Sequence, residues 1–269
     1  MACRALLVTH RRAILDLLVE RLKLRDDEKY ALEEAIHELI FPLKATSDEP
    51  GVWGHQNLWL IDERLAYHRY LASDVPLRSQ EAIVCDSSER PDFLIINRPG
   101  AFSPNDQGGT PHTAVTIIEL KRPGRMSKGS DKKDPVEQAL EYVMDVKTGK
   151  VRDTTGRLIR ASGAAFYVYV VCDFEDGSDF DKAASLRGLT KSPDGRGYFG
   201  FIPAVGAYVE VISFDKLVDD ATQRNRILFQ RLGIDAPLAQ SELDEFNSPK
   251  LPGERGTPDK PPTASGAVP

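Results

Sequence analysis

Three short apolar runs limit what this chain can become. They are Phe93-Leu94-Ile95-Ile96, Ala114-Val115-Thr116-Ile117-Ile118 and Ala164-Ala165-Phe166-Tyr167-Val168-Tyr169-Val170-Val171. All are rich in β-branched or aromatic residues, lack polar alternation and are shorter than a core helix. Each therefore reads as a strand buried within a sheet.

Helical patterns surround these strands. Residues 4–24 repeat Leu7, Ile14, Leu17, Leu18 and Leu22 at helical spacing. Residues 28–41 place Leu32, Ile36, Leu39 and Ile40 on one side and stop at Pro42. A third helical pattern covers Asn57–Leu71. Asp134-Pro135-Val136-Glu137 is a strong helix start, with Asp as N-cap, Pro in the first turn and Glu three residues after the cap. That helix runs to about Lys147. Tyr198–Phe201 and Ala207–Ile212 read as a hairpin, and Phe214–Leu232 as a closing helix.

Between the first two strands, Arg98–His112 carries three Pro and three Gly and reads as a long surface loop. From Leu238 onward, 32 residues hold six of the eighteen prolines and almost no periodicity. The expected division is an N-terminal helical segment at 1–50, an α/β domain at 51–237 and a disordered Pro-rich tail at 238–269. The first helix opens without a capping residue, as expected of a module that follows another domain or works with a partner protein.

No apolar run approaches the roughly 18 residues that span a bilayer, so no membrane association is expected. The start offers only Ala5-Leu6-Leu7-Val8 before His10-Arg11-Arg12, short of the roughly 7–15 apolar residues of a secretory signal. Cys3, Cys85 and Cys172 are far apart and in no CxxC spacing, so a reducing cytoplasm is the expected location. The net charge of −6 argues against a protein that coats nucleic acid by bulk charge. It leaves room for an enzyme that touches a polyanion through one basic strip.

The chemistry concentrates where two of the strands end. Pro91-Asp92 opens the first strand and Glu119-Leu120-Lys121 closes the second. If the two pair as an antiparallel hairpin, one register joins Asn97 to Ala114 and sets Asp92 opposite Glu119. Lys121 lies two residues beyond Glu119 and so shares its face. Two carboxylates this close repel, and one takes up a proton unless a cation holds both ionised. Oxygen-only ligands suit Mg²⁺ or Mn²⁺, and a neighbouring lysine can orient water or stabilise charge on phosphorus. The chemistry implied is metal-assisted phosphodiester hydrolysis. A Glu-x-Lys triplet alone is common, and on those two residues a solvated pair at a sheet edge is the better reading. Asp92 in register moves the balance towards a site.

Between Lys121 and Lys133 stand Lys121, Arg122, Arg125, Lys128, Lys132 and Lys133 against Asp131 alone, a local charge of +5. This strip leads from the carboxylates to a helix start, as a phosphate-tracking loop would. The mixture Arg196-Gly197-Tyr198-Phe199-Gly200-Phe201 could stack bases, but a core hairpin is the better expectation. His37 and His68 read as helix-surface or core histidines.

Asp92, Glu119-Leu120-Lys121 and Gln138-Ala139-Leu140-Glu141-Tyr142 together resemble the PD-(D/E)xK nuclease superfamily, in particular its RecB-like QxxxY branch. A narrower likeness covers about Leu32–Gly233. There Asn57-Leu58-Trp59-Leu60-Ile61-Asp62-Glu63-Arg64-Leu65, Glu119–Pro123 and Tyr198-Phe199-Gly200 are similar to the Shedu-type anti-phage nuclease domain. The resemblance implies a restriction-endonuclease-like mixed sheet of αβββαβ type, with extra N-terminal helices and a C-terminal hairpin plus helix. It implies Mg²⁺ or Mn²⁺ on Asp92 and Glu119, a catalytic Lys121, and Gln138 and Tyr142 beside them. It further implies DNA as substrate, with Arg122, Arg125, Lys128, Lys132 and Lys133 along its path, assembly as a homo-oligomer, and defence against phage or plasmid DNA. An upstream helical Glu usually completes such a site, and Glu33, Glu34, Glu38 and Glu63 compete for that place. The rival readings are an inactive binding module that keeps the fold and a phosphoesterase acting on RNA or nucleotides.

Overall fold

The computed structural model describes residues 2–24, 30–96, 113–124, 134–152 and 156–237. Helices α1 (Ala2–Leu22) and α2 (Glu33–Ile40) come first, followed by 3₁₀ turns and strands β1 (Tyr70–Ser73) and β2 (Ile83–Val84). Then follow β3 (Phe93–Ile96), β4 (Ala114–Leu120), α3 (Pro135–Thr148), β5 (Lys150–Arg152), β6 (Leu158–Arg160) and β7 (Ala165–Val171). The chain continues through α4 (Asp179–Leu186), β8 (Thr190–Lys191), β9 (Gly197–Ile202), β10 (Ala207–Ile212) and α5 (Phe214–Leu232). Among the described residues no helix is long and apolar enough to cross a membrane. The expected loop at Arg98–His112 lies wholly outside the described residues, as do Asn97 of the expected pair with Ala114, the tail from Leu238 and residues 125–133.

The architecture is mixed α/β. One seven-stranded sheet runs β1-β3-β4-β7-β10-β9-β8, and β2, β5 and β6 form a separate three-stranded sheet. In the large sheet β4–β7 and β7–β10 are parallel, whereas β1–β3, β3–β4, β10–β9 and β9–β8 are antiparallel. The three apolar runs supply adjacent central strands, and both faces of these strands are covered. Alternation along each strand assigns its residues to two cores. Val115, Ile117, Val168 and Val170 join Val136, Ala139 and Val143 of α3. Phe93, Ile95, Ile118 and Val171 join Leu18 of α1, Ile36 of α2 and Leu217 of α5. The segment 1–50 thus shares one core with the sheet that follows it.

α3 begins where its sequence says it must. Asp134 accepts the amides of Val136 and Glu137 at 2.9 and 3.0 Å, and Pro135 fills a position whose N–H would have no helical partner. α2 is shorter than the pattern suggests and starts at Glu33.

The helix expected over Asn57–Leu71 does not form. The 3₁₀ turns Leu58–Leu60 and Glu63–Ala66 lead instead into β1. Leu58, Trp59, Leu60 and Ile61 are all buried, and a surface helix hides only one stripe of its residues. Asn57 donates to the Leu39 carbonyl at 2.9 Å and Asp62 accepts the Arg64 amide, so two side chains compete with helical backbone pairing.

Candidate active site

β3 and β4 pair with Phe93 opposite Ile118, Leu94 opposite Ile117 and Ile96 opposite Val115. One further step along this ladder sets Asp92 across from Glu119. Each stands two residues from one that faces α3, Asp92 before Leu94 and Glu119 after Ile117, and strand alternation puts both on that face. Asp92 also closes the ladder. Its Oδ2 accepts the Leu120 amide at 2.6 Å, a charge-assisted bond at the point where strand pairing ends.

Glu119 is 2 % exposed. Its Oε1 accepts from the Lys121 ammonium, while its Oε2 is buried without a hydrogen-bond partner among the described residues. Burial and then the charge of Asp92 push the Glu119 carboxyl up to about 8, and Lys121 opposes that rise. Burial alone would lower the Lys121 ammonium, but the Glu119 carboxylate raises it above its ordinary value and keeps it charged. The backbone of Lys121 is fixed as well, with its amide bonded to the Val171 carbonyl at 2.9 Å.

Gln138 and Tyr142 lie one turn apart on α3, and the Gln138 amide donates to Tyr142 Oη at 2.6 Å. Tyr142 is 3 % exposed, and burial, followed by the charges of Glu119 and Asp92, raises its phenol and holds it protonated. Both carboxylates are therefore felt at the α3 residue that the sequence pattern pairs with them.

The four upstream glutamates separate cleanly. Glu33, in the first turn of α2, bears electrostatically on both Glu119 and Lys121. Glu34 and Glu38 are exposed. Glu63 is taken up elsewhere: its two oxygens accept from Arg11 at 2.6 and 2.9 Å.

Of the basic strip, Lys121 and Arg122 are described, whereas Arg125, Lys128, Lys132 and Lys133 lie outside the described residues. Arg122 donates to the Tyr30 carbonyl at 2.6 Å, which ties the strip's start to the chain just before α2. Tyr198 is buried with its hydroxyl on Asp181, so it is unable to stack on a base; Phe199 and Phe201 are exposed. Cys172 is buried, whereas Cys85 is only partly so.

One residue at this site reads from the sequence only as a helix-surface or core histidine. His37, buried on α2, places Nδ1 3.6 Å from Asp92 Oδ1 and Nε2 2.7 Å from Ser73 Oγ. Its ring packs on Phe93 with centroids 4.3 Å apart. The available signal was its position four residues after Glu33, which puts both on one face of the helix.

The donor set fits a hard divalent ion. It offers two ladder-opposed carboxylates, one with a buried oxygen that has no hydrogen-bond partner among the described residues, and Mg²⁺ sites commonly combine one or two carboxylates with water. Among the described residues no group of three or more His, Cys, Asp or Glu is placed to hold a metal ion. The chain gives no match to protein-family models, to curated proteins or to solved structures.

Proposed function

We propose that this chain is a Mg²⁺- or Mn²⁺-dependent deoxyribonuclease with a restriction-endonuclease-like core, acting against phage or plasmid DNA. The observation that carries the reading is the convergence of Asp92, Glu119 and Lys121 at the end of two buried strands, with Glu119 Oε2 unsatisfied. Burying a carboxylate without a full set of partners is costly, and a cation at that oxygen offsets the cost.

In this reading Asp92 and Glu119 hold the ion. When bound, it would polarise a phosphoryl oxygen and make water more acidic. Lys121 keeps its proton, held by Glu119, and supplies a fixed positive charge towards the phosphate or the attacking water. Tyr142 stays neutral and is oriented by Gln138, as a hydrogen-bonding wall of the site. Glu33 adds negative potential from α2. The basic strip that begins at Lys121 would follow the DNA backbone.

Defence as the setting rests on the resemblance of 57–65, 119–123 and 198–200 to Shedu-type domains. Assembly as a homo-oligomer belongs to the same proposal and rests on the same resemblance.

The test is cleavage of plasmid DNA by purified protein with Mg²⁺, Mn²⁺ or chelator, beside Lys121→Ala and beside RNA and small nucleotide substrates. Metal-dependent cutting of DNA that Lys121→Ala abolishes supports the reading. Activity that survives both the chelator and the substitution sinks it, and cutting of RNA alone moves the assignment to the rival phosphoesterase.

A further inference from the structure

We infer that His37 is a positioning residue, which aims the Asp92 carboxylate while Ser73 holds the ring. The inference rests on reading Asp92 as a metal ligand. α2 brings Glu33 and His37 to the same end of the sheet, four residues apart, and His37 reaches Phe93 of β3 and Asp92 just before it. Its ring is wedged between Phe93 and Ser73, both fully buried and directly paired across β1 and β3. Imidazole has one proton to place when neutral. With that proton on Nδ1, Nε2 accepts the Ser73 hydroxyl and the Nδ1–H points at Asp92 Oδ1.

Asp92 is then held from two sides. Oδ2 is fixed by the Leu120 amide of β4 and Oδ1 faces Nδ1 of α2. With Oδ2 hydrogen-bonded and Oδ1 facing the imidazole at 3.6 Å, a contact longer than a hydrogen bond, rotation of the carboxylate about its terminal torsion is biased towards one direction. Groups that orient a metal ligand in this way commonly change metal affinity by roughly ten-fold or more when lost.

The arrangement discriminates between two amide substitutions. Asn carries its NH₂ near the place of imidazole Nδ1, whereas Gln carries it near Nε2. His37→Asn therefore retains the contact to Asp92 and drops the one to Ser73; His37→Gln does the reverse. A purely structural role, filling the slot and satisfying Ser73, would favour Gln.

The experiment measures Mn²⁺ affinity of the intact protein by calorimetry for wild type, His37→Asn, His37→Gln and Ser73→Ala, with thermal melts alongside. Exchange of the Leu120 amide in metal-free protein is followed in parallel. Positioning predicts affinity within about three-fold of wild type for His37→Asn and a loss of roughly ten-fold for His37→Gln. It predicts faster Leu120 exchange in His37→Gln than in His37→Asn, and a smaller affinity loss in Ser73→Ala, which leaves the ring in place. Affinity and exchange in His37→Gln equal to or better than in His37→Asn overturn it. A wild-type protein that binds no Mn²⁺ overturns the nuclease reading instead, and the Leu120 exchange then still decides whether His37 holds Asp92.

Discussion

Asp92 accepts the Leu120 amide across the last step of the β3–β4 ladder and so serves the fold and the candidate site at once. The two roles separate by substitution. Asp92→Asn keeps a carbonyl oxygen for the amide and loses the charge. Asp92→Ala loses both and leaves the amide without a partner, at about 1–3 kcal/mol. We expect Asp92→Asn to melt near wild type while losing metal binding and cleavage, and Asp92→Ala to melt clearly lower. Thermal melts beside Mn²⁺ calorimetry check this, and equal melting of both variants would refute the capping role.

Glu119 should impose a pH slope on the metal-free protein. Its folded carboxyl titrates at about 8, above the ordinary value of 4.5 for the exposed group. Its contribution to stability is therefore fully present below about 4.5, declines as pH rises, and is gone above about 8. Glu119→Gln removes the slope. In chelator we expect the variant to melt roughly 5 °C above wild type at pH 8.5, with the gap closing towards pH 4.5. Added Mn²⁺ reverses the order, because only the ionised carboxylate of wild type binds it. Parallel melting curves across this range would show that Glu119 is not the buried acid described.

Glu33 and Glu63 look equivalent in the sequence and have different partners in the fold. Glu63 joins Arg11, which also donates to Asn225 on α5 and lies 4.7 Å from the centre of the Trp59 ring. Glu63→Gln should cost about 1–2 kcal/mol of stability, seen as a lower melting temperature, with Mn²⁺ affinity unchanged. Glu33→Gln should weaken Mn²⁺ binding several-fold, because it removes negative potential that bears on Glu119 and Lys121. A matched pair of melts and titrations checks both halves.

How far the sequence reveals this architecture depends on where the signal resides. β3 and β4 were legible as strands because both are short, apolar and bounded; their register was open in the sequence, and the one that sets Asp92 opposite Glu119 is the one that forms. Asp134-Pro135 announced α3 for the same local reason. Asn57–Leu71 misled because a run of buried residues resembles a helical stripe, and only tertiary contacts such as Asn57 to Leu39 reveal the 3₁₀ path. The small sheet of β2, β5 and β6 has strands of two or three residues, too short for any period to register. His37 reads as no more than a core histidine because its partners, Ser73 and Asp92, lie 36 and 55 residues away along the chain, and the local cue is only its place four residues after Glu33.

Removing Lys121 should alter the protonation of Glu119 as well as delete a cation. The ammonium is what opposes the rise of the Glu119 carboxyl, against burial and Asp92. In Lys121→Ala that opposition is gone, the carboxyl holds its proton to still higher pH, and a metal must displace that proton to bind. At pH 7 we expect Mn²⁺ affinity at least several-fold below wild type, recovering as pH is raised towards 9.5. Lys121→Arg retains a positive charge beside Glu119 and should keep the wild-type pH profile of binding, while cleavage falls because the guanidinium is larger and planar. Calorimetric titrations at four or five pH values, each beside a cleavage assay, separate the electrostatic role of Lys121 from its direct one. If Lys121→Ala binds Mn²⁺ as wild type does at every pH, the ammonium does not govern Glu119, and the loss of cleavage in that variant would report the direct role alone.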